Sequence, residues 1–307
     1  MPHTIEEIAK HTGVPAYFVE DRVENLVRRN AVTESTKGKY QTLFRIYTDE
    51  HDKYLADNTE RLMLPIMKKT ISVFKKISDE ALKIGFYKAG YGDSDLFFIF
   101  ASIAANYAMK NYFPDAAKNF EPNYDGYRWE YVGSTETSGA ERQEICQNVS
   151  AFENNYYRHY WGYAGIKRAH AGYLFPDHIA TATRIFKDGK SNDVEKTMFL
   201  IKNGIAENNG DGTFKLMPPY MKKDEFEKFK EIEKANLEAI REDVVEAAQK
   251  LNDGFIELFP KHIRKKMKDE PCAIQSVLFT TAIEYAIKTG EIAPPSENFK
   301  CHIITEQ

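Results

Sequence analysis

Apolar residues recur at helical spacing through Ile5, Ile8 and Ala9, and again through Val14, Val19, Val23, Leu26 and Val27. That period predicts two amphipathic helices in succession. Thr4 with Glu7 three residues on forms a capping-box signature for the first helix. Gly13 supplies the positive φ of the tight turn between the two, and Asn30, which tolerates the left-handed region, ends the second. "AVTESTKGKYQTLFRIYT" follows, two alternating runs around Lys37-Gly38-Lys39. Alternation on both sides of a glycine turn predicts a β-hairpin. Two helices and a hairpin make a winged helix-turn-helix over residues 1–48.

The pattern then turns helical and stays so. A long amphipathic stretch runs from Asp49 to about Lys83, with Pro65 expected to kink or divide it. "DLFFIFASIAANYAMKNY" (Asp95–Tyr112) is apolar nearly all round and reads as the buried helix of this half. Residues 49–123 are thus a helical region. Residues 124–176 have another texture: "YDGYRWEYVGS" and "NNYYRHYWGYAG" are aromatic and strand-like. The polar residues 135–150 between them suggest a loop and a short helix.

The second half repeats the first. "FLIKNGIAENNGDGTFKLMPPYMKKDEFEKF" (Phe199–Phe229) matches "LVRRNAVTESTKGKYQTLFRIYTDEHDKYL" (Leu26–Leu55) with one residue inserted at the hairpin tip. This sets Asn30 on Asn203, Val32 on Ile205, Glu34 on Glu207, Gly38 on Gly212 and Tyr40 on Phe214. "ANYAMKN" (Ala105–Asn111) then meets "IEYAIKT" (Ile283–Thr289). A repeat in this order is the signature of internal duplication. The expected fold is mainly α with small β (α+β): two winged-helix-plus-helical-pair units, joined by the aromatic β-rich insert. A second winged-helix-like unit falls at 177–222 and a second helical region at 223–307.

Composition narrows the function. With 307 residues, 42% hydrophobic and 29% charged, the chain is a globular one of more than one domain. No run approaches the ~18 apolar residues of a membrane helix, and no secretory leader pattern opens the chain, so a cytoplasmic protein without membrane contact is expected. Cys146, Cys272 and Cys301 form neither a CxxC pair nor a disulfide framework. P-loop, GxGxxG, GxSxG and HExxH motifs are missing. "NNGDGTF" lacks the alternating carboxylates of a calcium loop and reads as a hairpin turn. His159 and His170, beside Arg158 and Arg168, are too few for a structural metal site. No enzymatic activity, metal or cofactor is expected.

Recognition remains. In a DNA-reading winged helix the second helix enters the major groove and the wing meets phosphate. Tyr17, Arg22, Arg28, Arg29, Lys37 and Lys39 are the DNA-binding candidates. Yet Glu20, Asp21 and Glu24 share that exposed helix, and carboxylates are repelled by the phosphate backbone. They instead suggest a face for another protein, as do Arg128, Trp129 and Trp161 of the insert. The second unit, with Asp193 and Glu195 on its helix and Asp211 at its hairpin tip, is still less suited to DNA. The formal net charge of −4 gives no general attraction to nucleic acid either.

"TIEEIAKHTGVPAYFVEDRVENLVRRNAVTESTKGKYQTLFRIYT", followed by a charged helix and then by "YDGYRWEYVGS", resembles a group of bacterial sigma-factor-like regulators. In these an extracytoplasmic-function-type sigma module precedes a long C-terminal region that begins with a winged helix. The resemblance covers about the first half of the chain. It implies a role in transcription regulation and a missing N-terminal part, which fits Met1-Pro2-His3 leading straight into the first helix. It carries over no functional residue, because nothing matches the polymerase-binding or promoter-reading helices. Two routes stay open: DNA contact through the first winged helix, or a protein-interaction or ligand-sensing module that meets RNA polymerase or another regulatory protein.

Overall fold

A computed structural model describes residues 2–113, 132–134, 147–151, 154–158, 174–267, 272–296 and 299–307. In chain order it contains α1 (Ile5–Thr12), α2 (Ala16–Arg28), β1 (Val32–Thr36), β2 (Lys39–Thr42), β3 (Arg45–Tyr47), α3 (Asp49–Ala81), α4 (Asp93–Tyr112), β4 (Val132–Ser134), β5 (Gln147–Ala151) and β6 (Asn154–Arg158). There follow α5 (Pro176–Asp188), α6 (Val194–Lys202), β7 (Ala206–Asn208), β8 (Phe214–Leu216), β9 (Tyr220–Met221), α7 (Lys223–Leu237), a 3-10 turn (Glu238–Ile240), α8 (Arg241–Ile256), α9 (Lys261–Met267), α10 (Cys272–Lys288) and β10 (His302–Glu306). The protein is mainly helical with small sheets.

Two compact units divide the chain. The first holds Met1–Thr59, Phe113–Glu141 and Ala248–Ile274; the second holds Glu60–Tyr112, Arg142–Ala247 and Gln275–Gln307.

In the first unit, local chemistry sets the elements as the sequence suggests. The Glu7 amide donates to Thr4 Oγ1 (3.2 Å) while the Thr4 amide donates to Glu7 Oε2 (2.9 Å), closing the capping box. Gly13 has φ 69°, and Asn30, just beyond α2, has φ 54°. Antiparallel β1 and β2 pair Val32 with Thr42 and Glu34 with Tyr40. The tip is tied by the Gly38 amide donating to Glu34 Oε1 (2.5 Å). Val19, Val23 and Val32 form a small core with Ile5, Ile8, Ala9, Val14 and Tyr40 around it. Leu26 and Val27, expected to share that apolar face, are instead exposed. The same unit holds an aromatic cluster in which Tyr47 and His51 meet Phe255 and Phe259. There the Tyr54 hydroxyl donates to the Leu251 carbonyl (3.2 Å).

The second unit has the larger core. Tyr156, Leu174, Ile179, Ile185, Leu200, Ile205, Leu216, Tyr220 and Ile304 are buried together. From Leu96 to Ala105 every residue of α4 is buried, which is why that helix carries apolar residues on all sides. Phe100 of α4 meets Phe229 of α7 at 5.2 Å between centroids. The Tyr112 hydroxyl donates to the Leu237 carbonyl (2.6 Å) where α7 gives way to the 3-10 turn. Asp95 accepts from the Ser296 amide (2.8 Å) and hydroxyl (2.7 Å), holding the segment after α10. A four-stranded sheet runs β5-β6-β10-β9, antiparallel except for β10 with β9.

Three expectations change. Residues 147–150, expected within a loop or short helix, belong to strand β5. Of the two effects expected of Pro65, a kink or a division, division does not occur: α3 is one helix from Asp49 to Ala81. And the backbone hydrogen bonds of the two helix–hairpin segments correspond at one constant spacing, without the inserted residue. The Ala31 amide bonds the Leu26 carbonyl as the Ile205 amide bonds the Leu200 carbonyl, and the Leu43 amide bonds the Ala31 carbonyl as the Met217 amide bonds the Ile205 carbonyl. Val32 faces Thr42 as Ala206 faces Leu216. Asn30 therefore matches Gly204, both at positive φ, rather than Asn203.

At this constant spacing α3 begins where α7 begins, and Pro65 falls where the second series has its 3-10 turn. Strand β3 pairs in parallel with β4, which follows α4 in the chain; β9 pairs in parallel with β10, which follows α10. Both halves thus run helix, helix, hairpin, third strand, long helical stretch, apolar helix and returning parallel strand.

Candidate protein-interaction face

Pro15 opens α2 directly after the Gly13 turn, and Val19 and Val23 fix which side is buried. Two stripes must then face outward at helical spacing: Tyr17, Glu20, Asp21, Glu24 and Arg28, and beside it Phe18, Arg22, Asn25 and Arg29. All are exposed except the half-buried Arg29. Tyr17 is 75% exposed and Phe18 44%.

The cations of this helix are engaged by its own residues. The Arg22 guanidinium lies over the Phe18 ring, 5.0 Å from its centroid. Arg28 pairs with Glu24 at 3.5 Å. Arg29 Nε donates to Asn25 Oδ1 (3.1 Å). Such exposed contacts add at most ~1 kcal/mol to stability, and of the three only the Glu24 carboxylate offsets the charge of its arginine toward a phosphate. Lys37 and Lys39 are exposed at the hairpin tip. The Glu7 carboxyl is held below its usual range by the Thr4 amide, with Lys39 contributing through its charge. Two stripe carboxylates, Glu20 and Asp21, face solvent beside Tyr17 and Phe18.

In the second unit, Asp193 caps α6 by accepting from the Lys196 amide (2.9 Å). Lys196 also reaches the carboxylates of Asp193 (2.9 Å) and Asp177 (3.5 Å). This helix, too, turns apolar residues outward. Val194 and Met198, one turn apart, are 78% and 59% exposed, and Phe175 just ahead of α5 is 61% exposed. His178 stacks on Phe199 at 4.2 Å. Its imidazole is shifted below its ordinary value, first by burial and then by Lys196. At the hairpin tip Asp211 accepts from the Thr213 amide (2.9 Å) and hydroxyl (2.6 Å), so "NNGDGTF" is a turn closed by its own carboxylate.

The structure therefore brings Tyr17, Glu20, Asp21, Arg22, Glu24, Arg28 and Arg29 onto one helix, with Lys37 and Lys39 on the adjoining hairpin. Arg128, Trp129 and Trp161 lie outside the described residues, as do His159, His170 and Arg168. Phe18, Val194 and Met198 are absent from the sequence-based candidates. Phe18 sits off the Val19–Val23 stripe, and that offset alone marks it as outward-facing. Among the described residues no group of three His, Cys, Asp or Glu side chains is placed to hold a metal ion, and no helix is long and apolar enough to cross a membrane. Compared with protein-family models, with curated proteins and with solved structures, the chain matches none of them.

Proposed function

We propose that this chain is a non-enzymatic regulatory protein of the transcription type, and that its winged-helix-like units dock other proteins through their second helices. One observation carries the reading. The helix that would enter a DNA groove presents Tyr17 and Phe18 beside uncompensated carboxylates, while its arginines are engaged by Phe18, Glu24 and Asn25. Exposed aromatics flanked by charge are the composition of interface anchors. A phosphate backbone rewards the opposite arrangement, with free cations and no carboxylates. Val194 and Met198 on α6 extend the same logic to the second unit. RNA polymerase or another regulatory protein is the partner class we infer, in line with the sigma-factor-like resemblance.

An internal duplication accounts for the architecture in this reading. The matched hydrogen bonds, the positive φ at Asn30 and Gly204 and the two returning parallel strands support it. Two copies of one docking unit give a protein two related faces, and so avidity for a partner with two sites.

Direct DNA contact is the second reading, favoured by the exposure of Lys37 and Lys39 at the hairpin tip. Site-specific photo-crosslinking separates the two. A crosslinker replacing Tyr17 should label a subunit of purified bacterial RNA polymerase core, and one replacing Lys37 should not label duplex DNA. DNA labelling from both positions, without polymerase labelling, would overturn the protein-docking proposal.

A further inference from the structure

His51 is the third residue of α3, and its ring closes the start of that helix. Nδ1 lies 3.1 Å from the Thr48 amide nitrogen and 2.8 Å from Thr48 Oγ1. A ring nitrogen that accepts from a backbone N–H carries no proton, so the proton of the neutral ring sits on Nε2. Nε2 is buried and has no hydrogen-bond partner among the described residues. Around it stand Phe259 at 4.2 Å, Phe255 at 5.4 Å and Tyr47 at 5.9 Å between ring centroids. The whole residue is 3% exposed.

In the second half of the chain the matching position is Glu225, the third residue of α7. There Glu225 Oε2 accepts from the Lys222 amide (2.7 Å), the same cap made by a carboxylate. Both long helices thus start on a side chain that reaches back to the cap amide. Only the first uses a group that changes charge near neutral pH.

We propose that His51 is an acid-release latch: protonating it frees the first turn of α3 and loosens the aromatic cluster of the first unit. A second proton can go only to Nδ1. That places an N–H against the Thr48 N–H, removing the cap acceptor, and leaves a cation among three rings with no carboxylate of the described residues hydrogen-bonded to it. Glu50 and Asp52 on α3 itself are the charged groups whose fields reach the ring. Tyr47 on β3 is the titratable side chain that meets it edge-on, and among the described residues α8 and the turn after it bring the phenyl rings of Phe255 and Phe259 against it. Burial holds the imidazole below its ordinary value, against the pull of Glu50 and Asp52. With the folded value lowered, the cap's stabilisation is complete above the ordinary histidine value. It is lost as pH falls from there through the lowered one.

Hydrogen exchange of the full chain, followed by mass spectrometry and corrected for intrinsic rates, tests this. Peptides spanning 44–57 should lose protection about tenfold between about pH 7.5 and about pH 5.5, while those spanning 220–230, with the Glu225 cap, should not. His51→Gln supplies a neutral acceptor at the same position and should abolish the loss. Equal protection of 44–57 at both pH values, or a loss that persists in His51→Gln, would overturn the proposal. Should that variant fail to fold, the wild-type contrast between the two capped helices decides alone.

Discussion

The Tyr220 hydroxyl donates to Glu306 Oε1 at 2.8 Å, joining the two strands of the second unit that run in parallel. Glu306 also takes Lys187 Nζ at 2.9 Å and, through Oε2, the Lys223 amide at 3.3 Å, the first N–H of α7. Burial pushes its carboxyl up, but the hydrogen bonds from Lys187, Tyr220 and the Lys223 amide outweigh it and hold the value below the usual range. A lowered carboxyl contributes stability above its ordinary value, and that stability disappears as pH falls through the lowered one. Glu306→Gln should therefore cost about 1–2 kcal/mol in urea unfolding near neutral pH. The gap to wild type should close in acid. An equal gap at both pH values would assign the loss to packing.

Glu233 presents the opposite case. It is fully buried on α7, and burial raises its carboxyl well above the usual range, opposed only by the charge of Lys230. Stability from this site is complete below the ordinary carboxyl value and falls as pH rises through the raised one. Glu233→Gln keeps the shape and removes the ionisation. It should stabilise the protein by about 1–2 kcal/mol in mildly alkaline buffer and by less near pH 4. Denaturant midpoints across that range would show the difference shrinking on acidification.

Gly254 is placed for contact, not for conformation. A Cβ there would lie 2.8 Å from Tyr54 Cζ and closer still to the hydroxyl. That hydroxyl is the group that donates to the Leu251 carbonyl. Gly254→Ala should cost about 1–3 kcal/mol by overpacking. Tyr54→Phe should cost about 1 kcal/mol through the lost hydrogen bond. The double variant should lose less than the sum, since Tyr54→Phe removes the hydroxyl that a Cβ at position 254 would strike first.

Much of the secondary structure is legible in the sequence where one local rule decides. Thr4, Glu7 and Gly13 set α1, and the alternation around Gly38 sets the hairpin. The all-round apolar run from Leu96 marks α4 as buried. Where tertiary pairing decides, local signals mislead. Gln147–Ala151 is polar, yet it becomes a strand because β6 offers an edge. Leu26 and Val27 satisfy helical spacing, but the small core closes on Val19, Val23 and Val32 before reaching them. The likeness of the two helix–hairpin segments is legible in the sequence, but its spacing is not. Aligning Asn30 with Asn203 matches residue types, whereas the backbone requires positive φ at the matched site, and Gly204 supplies it. The carboxylates mark the outward face of α2 in the sequence, and the offset of Phe18 from the Val19–Val23 stripe marks that ring as outward too.

The docking reading makes Tyr17 and Phe18 dispensable for folding. Both are exposed and neither belongs to the core of the first unit. Tyr17→Ser with Phe18→Ser should change stability by no more than about 0.5 kcal/mol, as for surface positions elsewhere. Thermal unfolding reads this directly. A loss of several kcal/mol would mean that these rings pack in the folded chain.

Fluorescence anisotropy of labelled duplex DNA, titrated with the full chain at low salt and again at physiological salt, tests the central claim most directly. An α2 face of exposed aromatics and carboxylates predicts no saturable binding at either salt, and no change on Lys37→Glu with Lys39→Glu. Saturable binding that falls steeply with added salt and disappears in that double variant would contradict it.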